Sequence, residues 1–230
     1  MQAEFVRSSV GKKVLMAVTG LLLLGFVIGH AIGNLFIFLG PDALNSYAEK
    51  LRHLGALLWV VRTVLLAAVL LHIWASIVVT LENKNARPIE YELKKTIRTT
   101  WPKKTMMLSG LFLAGFIVFH LLHFTFRVTH PDISHLEDVL GRPDVYSMVV
   151  LSFQNVYLSL FYVAAMAFLC LHLAHGASSW LQTLGWNNER TLPFFEWAGT
   201  WIAAALFVGY ASVPLSICLG LITLTRGAVS

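Results

Sequence analysis

Four of the histidines inside apolar segments of this sequence recur at fixed offsets, and two of these four lie in an internal repeat. The segment Thr19–His30 reads TGLLLLGFVIGH, and ninety residues further on the segment Ser109–His120 reads SGLFLAGFIVFH. Each begins with a hydroxyl residue and a glycine and ends in histidine. Two further histidines, His72 and His172, each follow a leucine in other apolar runs, one hundred residues apart. A histidine in the middle of a membrane-length apolar segment is costly, so each of the four needs a partner or a function.

The elements that must position these histidines are membrane helices. The chain is 57% hydrophobic and 13% charged, which is not the balance of a soluble domain. Five apolar runs exceed the length of about 20 residues that crosses a bilayer. The sequence therefore predicts an all-α membrane protein, one domain over residues 1–230, in which helices I to IV form a four-helix bundle and helix V flanks it. The predicted helices lie near 13–39, 58–81, 105–128, 153–181 and 197–225.

The distribution of basic residues predicts the orientation. Lys12 and Lys13 precede helix I, and the second connection, residues 82–104, is rich in Lys and Arg, whereas the first and third connections hold many of the acidic residues. By the positive-inside rule the N-terminus is cytoplasmic and the C-terminus lies outside. This topology explains the basic connection more simply than nucleic-acid binding does, and docking of a cytoplasmic partner is a second use for the same charge.

The helical rise of 1.5 Å per residue converts sequence position into depth. His30 and His120 both fall roughly 25 Å from the cytoplasmic ends of their helices, and His72 and His172 roughly 15 Å, which gives two layers about 10 Å apart. Two imidazoles at one depth on different helices of a bundle are a typical way to hold a b-type haem. The spacing predicts two haem b groups, with His30 and His120 as the outer, distal iron ligands and His72 and His172 as the inner, proximal ones. The glycines expected to give the macrocycle room are Gly25, Gly29, Gly33 and Gly115.

Other interpretations remain open at this point. A lone intramembrane histidine is more often a packing residue or part of a proton path, and a transporter or channel with a polar histidine track would also carry several. A zinc or copper site would gather its ligands at one point, whereas these form two levels.

His123 and His175 each lie three residues from a predicted ligand, but the repeat aligns His123 with Gly33. His175 is likewise aligned with Ala75, so both are expected to hydrogen-bond a haem propionate, water or a quinone.

The connections carry weaker candidates. The first connection has apolar residues at helical spacing, which predicts a short amphipathic helix on the outer membrane face. Arg62 and Arg127, near the outer helix ends, are expected either to neutralise distal haem propionates or to act as snorkelling anchors. The polar residues that a quinone could meet, or that are simply solvated, are Asn34, Asn45, Tyr47, Glu49 and His53 on the outer side and Arg7, Ser9 and Trp180 on the inner side. We expect His130 and His135 to be ordinary solvated loop residues.

The histidine-bearing segments resemble the cytochrome b membrane-anchor subunit of succinate dehydrogenases and fumarate reductases, in its five-helix, two-haem form. The segments that carry the resemblance are TGLLLLGFVIGH at 19–30, LLHIWAS at 70–76, SGLFLAGFIVFH at 109–120 and CLHLAHGASSWLQTLGW at 170–186. The resemblance implies the same four haem ligands and two cytoplasmic partners, a flavoprotein with FAD and an iron–sulfur subunit. Electrons from succinate would pass through both haems to a membrane quinone, usually menaquinone in this form, at a bacterial inner membrane. The oligomeric state of such a complex is left open.

One departure bears on the direction of the reaction. Some fumarate reductases of this family carry a glutamate two residues before the helix IV ligand, where it serves a proton path. This chain has Cys170 there, which favours succinate oxidation. The remaining alternatives are a fumarate reductase anchor running in reverse, the anchor of a hydrogenase or formate dehydrogenase, and a transporter without haem.

Overall fold

The computed structural model of the chain describes residues 8–86, 101–183, 185 and 188–224. These residues form eight α-helices and no strand, which confirms the predicted all-α fold class. Five of the helices, α1, α3, α4, α7 and α8, are long and apolar enough to cross a membrane and correspond to predicted helices I to V, so the chain is a multi-pass membrane protein. The arm before residue 8 and the basic stretch 87–100 lie outside the described residues. The eight helices are α1 (Ser9–Leu35), α2 (Pro41–His53), α3 (Ala56–Asn85), α4 (Trp101–His120), α5 (Pro131–Ser134), α6 (Val145–Phe153), α7 (Val156–Thr183) and α8 (Leu192–Cys218).

Local chemistry sets where the long helices begin and end. The Ser8 hydroxyl caps α1 by accepting a hydrogen bond from the Gly11 N–H at 3.0 Å. A 3-10 turn follows α1, and Gly40 then adopts a φ of 97°, a conformation that side chains other than glycine rarely tolerate. The last long helix begins at Leu192, five residues before its predicted start, because Pro193 fits the first turn, where a missing N–H costs nothing.

The third connection holds two short helices that the sequence pattern did not separate from their surroundings. The run Val145–Phe153 forms α6, which the Asp144 carboxylate caps by accepting from the Ser147 N–H at 2.9 Å. A break at Gln154 and Asn155 separates α6 from α7, and the Asn155 side chain accepts from the first N–H groups of α7. Gln154 and Asn155 are polar residues in an otherwise apolar sequence, so the predicted start of helix IV near residue 153 lies close to the observed start, whereas the helix Val145–Phe153 was not predicted.

The packing of the five long helices is uneven. Helix α7 is central, since it packs against α1, α4 and α8, while α1 also packs along α3. Within the described residues α3 and α4 barely touch, so the bundle has an open side between them. Helix α8 flanks the bundle along α7, as predicted, and contributes Val213 and Ile217 to the buried core. Large apolar side chains are exposed along the outer faces of the long helices, as expected where helices meet lipid.

Both ends of the bundle are held by polar contacts. At the end where α1 begins and α3 finishes, here called the N-terminal end, the buried Lys12 forms an ion pair with Glu82. At the opposite end, α2 packs against the third connection, and we call α2 together with residues 131–153 the cap. Helix α2 confirms the helix predicted for the first connection.

A buried asparagine joins the two halves of the cap. Asn45 of α2 is 1% exposed, donates to an Asp144 carboxylate oxygen at 3.0 Å and accepts from the Tyr146 N–H at 3.0 Å. Beside it, Arg142 donates to Asp138 at 2.7 Å. Burial alone would raise the pKa of Asp138, but hydrogen bonds from Arg142 and neighbouring N–H groups outweigh it and lower the pKa. Asn45 is thus engaged within the protein and does not face a quinone at the membrane surface.

We predict that Asn45→Ala destabilises the folded chain by about 2 kcal/mol, because it leaves the buried Tyr146 N–H without its acceptor and removes one of the two donors to the buried Asp144 carboxylate. Chemical unfolding in detergent micelles measures the change. Lys50→Ala, at an exposed position on the same helix, is the control and should stay within about 0.5 kcal/mol of the wild type. Equal stabilities for the two variants would contradict this account of the cap.

Candidate functional site

The structure brings the four predicted iron ligands together in two pairs. His30 on α1 faces His120 at the end of α4, with ring centres 5.8 Å apart and ring planes at 79°. His72 on α3 faces His172 on α7, with ring centres 6.3 Å apart and planes at 67°. Each pair therefore joins two helices that are not neighbours in sequence. We call these the outer pair, which is nearer the cap, and the inner pair.

Hydrogen bonds to a neighbouring helix fix the ring of His72. Its Nδ1 lies 3.1 Å from the Met16 carbonyl oxygen and 3.2 Å from the Thr19 hydroxyl. A carbonyl only accepts, so Nδ1 carries the proton and Nε2 keeps its lone pair. The Thr19 hydroxyl donates to the Leu15 carbonyl at 2.8 Å and so can accept from the imidazole.

The second half of the chain repeats this arrangement around His172. The Nδ1 of His172 lies 3.3 Å from the hydroxyl of Ser109, which itself donates to the Met106 carbonyl at 3.0 Å. Because that hydroxyl gives its proton to the carbonyl, its oxygen is available to accept from Nδ1. The hydroxyl residue that opens each copy of the repeat therefore orients a histidine on another long helix. The sequence shows the repeated hydroxyl, but its role emerges only from these contacts.

The glycine after each hydroxyl makes room for the same ring. A Cβ built on Gly20 would lie 3.1 Å from Cε1 of His72, and one built on Gly110 would lie 3.4 Å from Cε1 of His172. The first distance is tighter than ordinary van der Waals contact, so a larger residue there would push the ring. The hydroxyl-glycine pair thus serves as one unit, in which the hydroxyl binds the ring and the glycine lets it approach.

Aromatic contacts dominate around the outer pair. The ring of His30 stacks on Phe26 at 5.3 Å and lies 6.1 Å from the ring of Tyr210 on α8. The Tyr210 hydroxyl donates to the Val27 carbonyl at 2.6 Å, which ties α8 to α1 beside the pair. On the other side, the Tyr162 hydroxyl is 3.5 Å from Nδ1 of His120, the long limit of a hydrogen bond. Sequence reasoning did not identify Tyr210, because α8 has no histidine and no repeat partner.

His123 is buried and has protein partners on both ring nitrogens. It is 1% exposed, with Nδ1 2.9 Å from the Tyr162 hydroxyl and Nε2 3.1 Å from the Ser152 hydroxyl. Ser152 donates to the Met148 carbonyl, so it accepts from Nε2, and Tyr162 donates to Nδ1. The residue lies in a π-helical turn, Leu121–Thr125, that continues α4. Both of its ring nitrogens thus have partners within the protein, and the contact with a propionate, water or quinone stays a prediction.

The other histidines lie around these layers. His175 is half-buried on α7, one turn beyond His172. The ring of His130 is 5.3 Å from that of His123. His53 and His135 are exposed, and His53 lies 3.9 Å from the Glu49 carboxylate.

The glycines near the pairs differ in what surrounds them. A Cβ built on Gly25, Gly29 or Gly115 would meet no described atom within 4 Å, so these positions leave space beside the outer pair. At Gly33 the added atom would lie 2.7 Å from the hydroxyl of Tyr47, whose ring stacks on Phe36. Gly33 therefore accommodates Tyr47 and does not provide the room for a macrocycle that its position predicted.

The separation within each pair fits two imidazoles bound to opposite sides of one metal ion. A metal–nitrogen bond of about 2 Å and about 1 Å more to each ring centre place the two centres about 6 Å apart. Among the residues that the structure describes, His, Cys, Asp and Glu side chains form no group of three or more able to hold an ion. Two facing imidazoles could hold an iron that brings four ligands of its own, as in haem.

No protein-family model matches the chain, and neither curated proteins nor solved structures contain a significant match. What the site does must therefore be inferred from its own residues.

We predict that His123→Leu destabilises the protein by about 2 kcal/mol, because the buried hydroxyls of Tyr162 and Ser152 lose their shared partner. Unfolding in detergent, followed by circular dichroism, measures the loss. The matched control is His135→Leu, which changes an exposed histidine and should leave stability nearly unchanged. A His123→Leu protein as stable as that control would show that the observed hydrogen bonds contribute nothing.

Proposed function

We propose that this chain is a two-haem cytochrome b subunit that carries electrons between a partner protein and a membrane quinone. The proposal rests on the hydrogen bonds made by the two imidazoles of the inner pair. Both imidazoles have Nδ1 engaged by hydroxyls of the repeated motif. The Nε2 lone pairs of His72 and His172 are then left for one iron between them.

The ligand assignment follows the two pairs. His72 and His172 would bind the iron of one haem b, and His30 and His120 the iron of the other. Each haem, when bound, supplies a one-electron carrier within the membrane. The Met16 carbonyl and the Thr19 hydroxyl would hold His72 in the ligating tautomer, and Ser109 would do the same for His172. Outer-shell partners of this kind raise the basicity of metal ligands. Phe26, Phe116, Tyr162 and Tyr210 lie against the outer pair and supply apolar surface beside a bound macrocycle.

The partners and the reaction come from the family resemblance of the histidine segments. We infer a role as the membrane anchor of a succinate dehydrogenase complex, respiratory complex II of the tricarboxylic acid cycle. The succinate chemistry would reside on a flavoprotein with FAD, and an iron–sulfur subunit would deliver electrons to the inner haem. The acceptor would be a membrane quinone, menaquinone in most relatives of this form. The chain would sit in a bacterial inner membrane with its N-terminal end towards the cytoplasm.

The reduced-minus-oxidised absorption spectrum of the purified full-length chain tests the ligand assignment. We expect a b-type α-band from the wild type, and about half of the haem in His72→Ala or His172→Ala, because one of two iron sites loses a ligand. His175→Ala is the control, since this histidine lies on the same helix as His172 and should leave both haems in place. A wild-type protein without a haem band, or loss of haem from His175→Ala, would overturn the assignment.

The role of the repeated hydroxyl is tested by Thr19→Val, which preserves shape and removes the hydrogen bond to His72. We expect the inner haem to bind roughly 10- to 100-fold more weakly, as for other outer-shell partners, while the outer haem is unchanged. Haem retention during dilution and the electron paramagnetic resonance spectrum of the oxidised protein provide the two readouts. Thr19→Ser should restore both.

Thr63→Val is the matched control for that experiment. The Thr63 hydroxyl donates to the Trp59 carbonyl of its own helix, α3, so its loss should affect neither haem. Identical behaviour of Thr19→Val and Thr63→Val would remove Thr19 from the site.

A further inference from the structure

Three arginines line a pocket at the cap end of the open side between α3 and α4. The pocket has a volume of about 380 Å³, and Arg52, Arg62 and Arg127 share its wall with Leu58, Trp59 and Phe124. Arg52 lies at the end of α2, Arg62 in the second turn of α3, and Arg127 follows the π turn after α4. Three separate elements therefore direct cations towards one space.

No carboxylate compensates this charge among the residues that the structure describes. The ion pairs found there involve Lys12, His53 and Arg142, and none involves the three pocket arginines. Arg62 packs over the Trp59 ring at 5.1 Å, and Arg127 donates to the Ser134 carbonyl at 2.8 Å. Burial and the charge of Arg52 both lower the pKa of Arg127, although a guanidinium stays protonated at neutral pH.

The backbone of the pocket adds to its preference for an anion. Gly55 lies in the wall and caps the N-terminus of the 30-residue helix α3, so the positive end of that helix dipole faces the same space. Arg127 has a φ of 58°, a left-handed conformation that costs energy for a residue with a Cβ. The fold thus holds a strained arginine where it meets two others.

The surroundings of the pocket are those of a membrane surface. Leu57, Val60 and Phe126, next to lining residues, are each more than half exposed. The pocket opens at the ends of the membrane-length helices, where lipid headgroups meet the hydrocarbon region. An occupant that carries both an oxyanion and an apolar tail would match both the charge and these apolar edges.

We propose that the arginine pocket binds the phosphate of an anionic phospholipid, whose acyl chains would lie along the open side between α3 and α4. Guanidinium groups bind phosphate oxygens through paired, charge-assisted hydrogen bonds. A haem propionate carboxylate would present the same oxyanion chemistry, and that source, unlike the phospholipid, rests on the proposed function.

Native mass spectrometry of the delipidated full-length chain tests this site, with phosphatidylglycerol as the anionic probe and phosphatidylcholine as the zwitterionic one. We expect the wild type to retain phosphatidylglycerol preferentially. Arg52→Gln combined with Arg62→Gln should weaken that binding about tenfold or more, because two charge-assisted contacts are lost. Arg127 is left unchanged, since its hydrogen bond to Ser134 supports the cap. The control, Lys50→Gln with Arg190→Gln, removes two exposed cations outside the pocket and should bind like the wild type.

A redox titration of the same double variant separates the two oxyanion sources. Unchanged phosphatidylglycerol binding with a lowered potential of the outer haem alone would support a propionate in the pocket and overturn the phospholipid. Unchanged lipid binding and unchanged potentials, with the fold intact by circular dichroism, would overturn the oxyanion site. Because the lipid measurement does not require haem, a colourless protein would refute the proposed function without deciding this proposal.

Discussion

The hydrogen bond from an imidazole Nδ1 to a hydroxyl on the neighbouring helix is the interaction on which the rest of this structure depends. Hydrocarbon offers no partner to a polar ring, so an unpaired histidine would be costly inside the bundle. At His72 and His172 the protein satisfies one nitrogen of each ring with Thr19 and Ser109. The ring orientation is then set, and Nε2 remains outside these hydrogen bonds. Paired helices, close glycines and the repeated motif all serve this arrangement.

Much of this arrangement follows from simple rules applied to the sequence. Helical rise alone places His30 at the depth of His120 and His72 at the depth of His172, because depth is proportional to residue number along a straight helix. Hydropathy predicted the five membrane-length helices, because a helix that crosses lipid needs a long apolar run. The repeat marked Thr19 and Ser109 as equivalent positions before any contact was known.

Other features depend on helix rotation and loop packing, which residue spacing does not encode. Tyr210 reaches His30 only because α8 turns that face towards α1, and nothing in its own segment distinguishes it from other interfacial tyrosines. Asn45 has the polarity of a surface residue, yet the third connection folds over it and buries it. Likewise, the apolar run Val145–Phe153 forms a separate helix, α6, that packs against α2, which residue spacing did not predict.

The count of haem per purified chain tests the central claim most directly. The pyridine haemochromogen assay, combined with amino-acid analysis, gives this ratio without assuming any partner subunit or substrate. Two paired-imidazole sites predict two extractable b-type haems per full-length chain. A folded chain that carries no haem, even after expression with excess haem supplied, would contradict the account of both histidine pairs.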